Sequence, residues 1–347
     1  MSRTECASVL FAPNDVRNVQ VPVLPVGPQH VRVGIRACGV CSSDVHYYRH
    51  GRIGDFVVNE PLILGHECAG EVLEVGSNVT RLQPGDRVAV EPGVPCRQCE
   101  YCRTGRYNLC ERMSFFATPP VHGAFRETVV VEADFAYRIP DSMTYDQAAM
   151  LEPLSVGIWA VQRAKLQVGQ SVAIIGAGTI GCVTLQVAGA AGATTLIASD
   201  VEPFRLDLAR RLGATHTIDA RRQNTLEEIR RITGSGVDVS FETSGSVPTL
   251  RDALGAVKPG GVAVLVGLPP EPEVPVPISG ACAKEIDIRG LFRYAHTWPT
   301  AIAMVEQRRV DVKSLITHRF ALEQAGQALQ FADTHRHEAM KVMLEAT

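Results

Sequence analysis

SVAIIGAGTIGCVTLQVAGAAGATTLIASD, residues Ser171 to Asp200, holds no charge before its last residue and carries glycines at 176, 178, 181, 189 and 192. An uncharged run of this length could be a membrane span. The glycines at 176, 178 and 181 instead fall at the spacing of a phosphate-binding turn, so strand, turn, helix and strand fit it better than one lipid-facing helix. Fully apolar Val172–Ile175 suits a parallel sheet covered on both faces. Gly176-Ala177-Gly178-Thr179-Ile180-Gly181 permits a tight turn and lets a pyrophosphate approach the helix N-terminus. A lone G-x-G-x-x-G also describes any tight turn between elements. Here Asp200 stands at the end of the second strand, nineteen residues beyond Gly181, where it can accept from both ribose hydroxyls. The same acid repels a 2′-phosphate, and Val201 and Glu202 supply no cation, so NAD is expected over NADP. Arg205 reads either as a flank for the adenine or as an exposed helix arginine.

Outward from this core the rhythm is βαβ from about Val156 to Gly290. Strands are expected at Thr195–Ser199, Val237–Thr243, Gly261–Val266 and Ile286–Arg289, and helices at Ile180–Ala191, Pro203–Leu212, Thr225–Thr233 and Val247–Leu254. From about Val9 to Ile139 short apolar runs alternate with turn signals, which predicts mostly β structure, with strands at Val31–Ala37, Gly70–Gly76, Arg87–Val90 and Glu127–Val131. The tail from Leu291 mixes helix and strand and ends on a strand at Ala339–Leu344. Pro269–Pro277 reads as a connection between elements.

The 347 residues are enough for two domains, and the formal net charge of −3 offers no basic excess to neutralise nucleic-acid phosphates. An apolar fraction of 46% excludes a disordered chain. Met1–Ser8 lacks the basic and apolar regions of a secretory leader, so a soluble, cytoplasmic protein is expected. In a reducing compartment its ten cysteines read as metal ligands or buried thiols.

Cys96-x-x-Cys99-x-x-Cys102-x7-Cys110 is the strongest local signal: four thiols within fifteen residues suit a closed tetrahedral zinc site that holds a lobe together and does no chemistry. An iron–sulfur cluster is the competing explanation. A redox pair at Cys99 and Cys102 does not fit, because no thioredoxin-like strand-to-helix turn carries it. Cys41, His66, Glu67 and Glu152 could form a second, open constellation. Each alone has a plainer explanation as a buried thiol, a loop histidine or a solvated acid, and spacing cannot join residues so far apart. Cys38 and Cys68 read as small core fillers.

The whole chain resembles the medium-chain zinc-dependent alcohol dehydrogenases, and most closely their polyol branch, the sorbitol and xylitol dehydrogenases. The resemblance rests on Cys41-Ser-Ser-Asp-Val-His-Tyr47 with Gly51-Arg-Ile-Gly54, Gly65-His-Glu67, Gly85-Asp-Arg-Val-Ala89, the Cys96–Cys110 lobe, Leu151-Glu-Pro-Leu-Ser-Val156, and Phe292-Arg-Tyr294 with Thr297-Trp-Pro299. It implies an α/β protein: a GroES-like, β-rich catalytic domain over 1–155 and 291–347, and a Rossmann domain with a doubly wound parallel sheet over 156–290. It implies two zinc ions per chain, a catalytic one on Cys41, His66 and Glu67 and a structural one on Cys96, Cys99, Cys102 and Cys110. Glu152 stands where many alcohol dehydrogenases have a third ligand cysteine, and would be a fourth group reaching the metal directly or through water. Ser43 and His46 would relay the proton, and Asp44 would orient His66. Tyr47, Glu152, Arg293 and Tyr294 would hold the substrate, with Phe115 or Phe116 as an apolar wall. NAD would meet Gly176, Gly178, Ile180, Gly181, Asp200 and Arg205, then Val266, Gly267 and Leu268, and then Leu291, Phe292 and Arg293. Two features stand apart: Ser42 occupies a position where the polyol branch commonly has Gly, and the four-cysteine lobe is intact although some animal sorbitol dehydrogenases have lost it.

The activity implied is reversible oxidation of a polyol of the sorbitol or xylitol class to the 2-ketose, by hydride transfer to NAD. Butanediol, threonine or a simple secondary alcohol is the alternative substrate; Tyr47 and Phe292-Arg-Tyr294 favour the polyol. A non-catalytic NAD-binding protein is disfavoured by the complete set of Cys41, Ser43, His46, His66 and Glu67, and a zinc hydrolase would have no use for Asp200. Family members are commonly tetramers or dimers, so a homo-oligomer is expected.

Overall fold

Strand His30–Val40 is the axis of a seven-stranded sheet. Along one side it pairs antiparallel with Glu67–Val75; along the other, Thr128–Glu132 takes its first half and Lys341–Glu345 its second. Arg87–Val90 and Ala136–Arg138 extend the sheet beyond Glu67–Val75, and Ile316–Ala321 closes the other edge. Val31, Val33, Val72, Val88, Phe125 and Leu344 are buried in its core. The register sets Gly39 opposite Glu67 and Val40 opposite Val342. Three neighbouring strands therefore bring Cys41, Glu67 and Lys341 to one end of the sheet. This computed structural model describes residues 3–269 and 273–346, so 270–272 of the expected Pro269–Pro277 connection lie outside the described residues.

A second, six-stranded sheet is parallel throughout. Its order is His216–Asp219, Thr195–Asp200, Ser171–Ile175, Val237–Glu242, Val257–Leu265, Asp287–Gly290. Numbered along the chain this is 3-2-1-4-5-6, the doubly wound dinucleotide-binding order, whose crevice opens where strands 1 and 4 diverge at their carboxyl ends. Helices Thr179–Ala190, Pro203–Arg211, Thr225–Thr233 and Val247–Ala256 lie between the strands in sequence. The strand expected from Gly261 starts at Val257, because Lys258-Pro-Gly-Gly261, which reads as a turn, is absorbed as an irregularity between the Val237–Val257 and Val239–Val262 pairs.

Packing divides the chain into Met1–Glu152 with Trp298–Glu306 and Val312–Thr347, and Pro153–Thr297 with Gln307–Asp311. These borders differ from 155/156 and 290/291. Leu291 N–H still donates to Leu265 O, so 291–297 stay with the parallel sheet's unit. The Gln186 side chain brackets the Asp311 backbone, donating to its carbonyl at 3.1 Å and accepting its N–H at 2.7 Å, which draws 307–311 back. Among the described residues, no helix is long and apolar enough to cross a membrane.

Candidate metal centres and cofactor site

Cys41 ends the axial strand and caps helix Ser42–His50. Asp44, at the third helical position and fully buried, accepts the Cys41 N–H on one oxygen and the Gly65 N–H on the other, both at 3.0 Å. One carboxylate thus ties together the two backbone segments that present Cys41 and His66. The second of those oxygens also lies 3.6 Å from His66 Nδ1, which leaves Nε2 for a metal. Gly65 has φ +87°, and a Cβ there would sit 2.3 Å from the Phe125 ring, so only glycine turns the chain at this point. Cys41 Sγ, a His66 nitrogen and a Glu67 oxygen come within 4.8 Å of one another. Phe115 stands 5.8 Å from the His66 ring, while Phe116 packs on the core.

One half-buried thiol beside a buried imidazole and a buried carboxylate suits zinc with a fourth position open. Burial works against a charged His66, but Asp44 and then Cys41 outweigh it and hold the imidazole pKa well above its ordinary value. Burial pushes the Cys68 thiol up to about 12 and Cys38 well above its usual range. Both are fully buried, as fillers should be. Glu67 lies across Gly39, where a Cβ would meet its Oε2 at 2.0 Å. Its carboxylate is held by Lys341, whose Nζ lies 2.7 Å from each oxygen. Sequence reasoning missed this lysine; its one signal is a charge opening the otherwise apolar strand Lys-Val-Met-Leu.

Glu152 falls outside the three-residue group but in the same unit, buried at the start of helix Leu151–Ala164. Its negative charge reaches Cys68, Glu91 and Lys341. Glu91, also missed, is 1% exposed and accepts from Tyr107 at 2.8 Å and Tyr137 at 3.0 Å. Burial raises its pKa to about 7, with Glu152 adding to the rise. Ser43 and His46 sit half-buried one turn apart on the Cys41 helix. His46 Nδ1 donates to Arg52 O at 2.9 Å, leaving Nε2 as acceptor. Tyr47 is buried on the same helix, whereas Arg293 and Tyr294 belong to the other unit.

Cys96, Cys99, Cys102 and Cys110 lie within 4.8 Å of one another. Cys102 Sγ is 3.9 Å from that of Cys96 and 3.4 Å from that of Cys99. A tetrahedron with zinc–sulfur bonds of roughly 2.3 Å has edges of about 3.8 Å, so these spacings suit one ion and are too tight to embrace an iron–sulfur cluster. The Cys96 sulfur accepts the Cys99 N–H at 3.4 Å and Arg112 at 3.4 Å. N–H groups of Gln98 and Cys99 lower its pKa to about 6, while burial and the neighbouring thiols raise that of Cys102 to about 12.

In the parallel-sheet unit, Gly176 takes φ +104° and a Cβ on Gly181 would meet Gly176 O at 1.9 Å, so strand and helix touch there. A Cβ on Gly178 would meet nothing within 4 Å; the space over this helix N-terminus, uncapped by any side chain, is open to a pyrophosphate. Asp200 accepts the Ala177 N–H at 2.7 Å and the Glu202 N–H at 2.9 Å, which orients its carboxylate beside the turn. Arg205 comes within 3.8 Å of Asp200 and is largely covered, so it is not a free surface arginine.

Val266, Gly267 and Leu268 follow the carboxyl end of Val257–Leu265, and Leu291, Phe292 and Arg293 that of Asp287–Gly290, on the same edge of the sheet as Gly176. Leu268 and Phe292 are exposed there. Gly267 sits where two loops at the strand ends meet. Its N–H is already given to Glu242 O at 3.0 Å, and a Cβ on it would meet Gly245 N at 2.3 Å and Glu242 Oε2 at 2.7 Å. The glycine is required because two loops at the strand ends touch at this point.

The fold and these centres define a zinc-binding dehydrogenase built on a dinucleotide domain. The chain belongs to this family: residues 27–141 match the alcohol dehydrogenase GroES-like domain, and residues 179–307 match the zinc-binding dehydrogenase domain. It is 47% identical to a sorbitol dehydrogenase of Bacillus subtilis over 97% of this chain and 96% of that one. It is 43% identical to an L-idonate 5-dehydrogenase of Vitis vinifera over 94% and 91%. Its fold matches the crystal structure of 2R,3R-butanediol dehydrogenase from Bacillus subtilis with a TM-score of 0.90, at 30% identity over 99% and 100%.

Proposed function

We propose that the protein is an NAD-dependent polyol dehydrogenase that interconverts a polyol of the sorbitol or xylitol class with its 2-ketose. The observation that carries the proposal is the convergence of Cys41, His66 and Glu67 on one patch, in a chain that also has the Gly176–Gly181 turn and Asp200. The higher identity to a sorbitol dehydrogenase than to a butanediol dehydrogenase supports the polyol.

Cys41, His66 and Glu67 would hold the catalytic zinc, and Cys96, Cys99, Cys102 and Cys110 the structural one. Zinc supplies a Lewis acid that makes a ligated hydroxyl easier to deprotonate, and NAD supplies the hydride acceptor. The protein's own groups do the rest. Asp44 fixes the orientation of His66. Phe115 excludes water on one side, and Tyr47, Arg293 and Tyr294 hold the outer hydroxyls. Ser43 receives the proton and His46, on the same helical face, passes it outward through Nε2. Glu152 steadies the open position, directly or through water. Gly178 and the uncapped helix N-terminus take the pyrophosphate, and Asp200 takes the ribose. Ile180, Val266, Gly267, Leu268, Leu291, Phe292 and Arg293 flank the cofactor, and Arg205 lies by the adenine. A cytoplasmic homo-oligomer, dimer or tetramer, completes the proposal.

The test is NADH absorbance with saturating NAD and a panel of sorbitol, xylitol, 2,3-butanediol, threonine and 2-propanol. Highest kcat/KM on a polyol is expected. Highest kcat/KM on butanediol, threonine or propanol, or no turnover with any, would overturn the proposal.

A further inference from the structure

Lys341 opens a strand whose first four residues are buried, is itself 4% exposed, and faces Glu67, which is 1% exposed. An ammonium has three N–H donors. Here Nζ lies 2.7 Å from both Glu67 Oε1 and Glu67 Oε2, and 3.1 Å from the carbonyl of Val40. Val40 is bonded to Cys41. One side chain from Lys341–Glu345 therefore grips the adjacent strand His30–Val40 and, across it, the next strand Glu67–Val75, at the ends that carry metal-ligating groups.

The grip restricts Glu67. A carboxylate offers two lone pairs on each oxygen, and an ammonium equidistant from both oxygens occupies the side between them. What Glu67 keeps for a metal is one outward lone pair on each oxygen, and because these point away from each other a single ion can take only one of them. We infer that Lys341 is a positioning residue of the catalytic metal centre: it fixes Glu67 relative to Cys41, confines it to one-oxygen ligation, and so keeps a coordination position open for substrate. The inference rests on the reading of Cys41, His66 and Glu67 as the catalytic zinc ligands. Its energetic setting is a buried ion pair, in which removing one partner leaves the other charge uncompensated. Lys341 also offsets one of two anionic ligands. Without it Glu67 would be free to swing or to present both oxygens, and the metal would be held in a different geometry.

The experiment follows zinc withdrawal from the holoenzyme by a colorimetric chelator, beside total zinc by elemental analysis. The parent should hold two zinc ions per chain, one withdrawn slowly from the four-thiolate lobe; a parent with one zinc per chain would overturn the metal reading itself. In Lys341→Met, of similar length without the charge, the catalytic-site zinc should leave at least tenfold faster while the lobe zinc keeps its rate. A Lys341→Met enzyme that releases both ions at the parent's rates overturns the inference and leaves the metal reading intact. Lys341→Arg keeps the charge but cannot make the same three contacts with a planar fork. With cobalt(II) at the catalytic site its visible absorption bands should move from the parent's. A lysine that only stabilises the fold would lower the thermal midpoint and leave those bands in place. If Lys341→Met does not fold, unmoved bands in Lys341→Arg overturn the inference on their own.

Discussion

Glu91→Gln tests whether a buried carboxylate held by two tyrosines is kept neutral by its surroundings. Glu91 follows strand Arg87–Val90 and accepts from Tyr107, inside the four-cysteine lobe, and from Tyr137, whose ring stacks 5.5 Å from Trp298. Two hydroxyl donors are too few to solvate a carboxylate that water cannot reach, and burial raises its pKa from an ordinary 4.5 to about 7. A folded-state pKa above the unfolded one means the folded protein binds the proton more tightly. The associated stability is fully present below pH 4.5 and is lost as pH rises through 7. A rise of that size corresponds to about 3 kcal/mol. In a unit of this size that is a thermal midpoint difference of roughly 6–12 °C. Glutamine fills the same volume, can accept from one tyrosine and donate to the oxygen of the other, and cannot ionise. Scanning calorimetry of parent and variant side by side from about pH 5 to 8.5 should show the parent's midpoint falling relative to the variant's across the range. Common losses, such as protonation of zinc ligands at the acid end, cancel in the difference. Midpoints that stay parallel throughout would refute the argument, because Glu91 would then titrate alike in the folded and unfolded chains.

Asp200→Ala removes a charged acceptor for the ribose and the partner of two backbone N–H groups; at about 1.5–3 kcal/mol for such a bond, the NAD Kd measured by fluorescence should rise roughly 10- to 150-fold and the bar to NADP should relax. An unmodified enzyme that already uses NADP as well as NAD would contradict that role. Cys99→Ser should lower the thermal midpoint while any folded enzyme keeps its turnover per catalytic zinc; four freely titrating lobe thiols in the native parent would contradict a structural zinc there. Gly181→Ala must push its helix away from Gly176 O, 1.9 Å from the new Cβ, and should cost about 1–3 kcal/mol of stability together with NAD affinity, which calorimetric titration would reveal. Glu67→Gln should lose catalytic zinc, whereas Glu152→Gln should keep most of it and lose turnover and one limb of its pH profile; the reverse pattern of zinc content would exchange the two roles.

The parallel-sheet unit was legible almost residue by residue because its signals are local. Thr225–Thr233 and Ser171–Ile175 have the limits the pattern predicts, and Gly176–Gly181 writes turn, approach and helix start into six residues. Where the pattern fell short, a long-range partner had overridden it. Lys258-Pro-Gly-Gly261 reads as a turn until its strand neighbour takes it up as an irregular pair. Gln307–Asp311 reads as part of the tail until Gln186, far away in sequence, clasps its backbone.

The candidate catalytic centre divides along the same line. Its ligand types were visible in Cys41 and His66-Glu67, because a thiol near a turn and an imidazole beside a carboxylate after a glycine are local patterns. What holds them was not. Asp44 looks like a partner for His66, but nothing in the sequence says that its carboxylate also takes the N–H groups of Cys41 and Gly65. Glu67 and Lys341 are 274 residues apart. They meet only because Lys341–Glu345 pairs with the half of His30–Val40 that Thr128–Glu132 leaves open, and that pairing is decided by the sheet as a whole. Glu91 had no signal either: a carboxylate in a strand-to-loop step is ordinary on a surface and becomes unusual only when two tyrosines and the core close over it. The chemistry of such a centre is thus carried by residues whose types are informative. Its geometry is carried by buried charges whose meaning depends on partners brought in from other strands, and those charges are where substitution should separate metal affinity from simple stability.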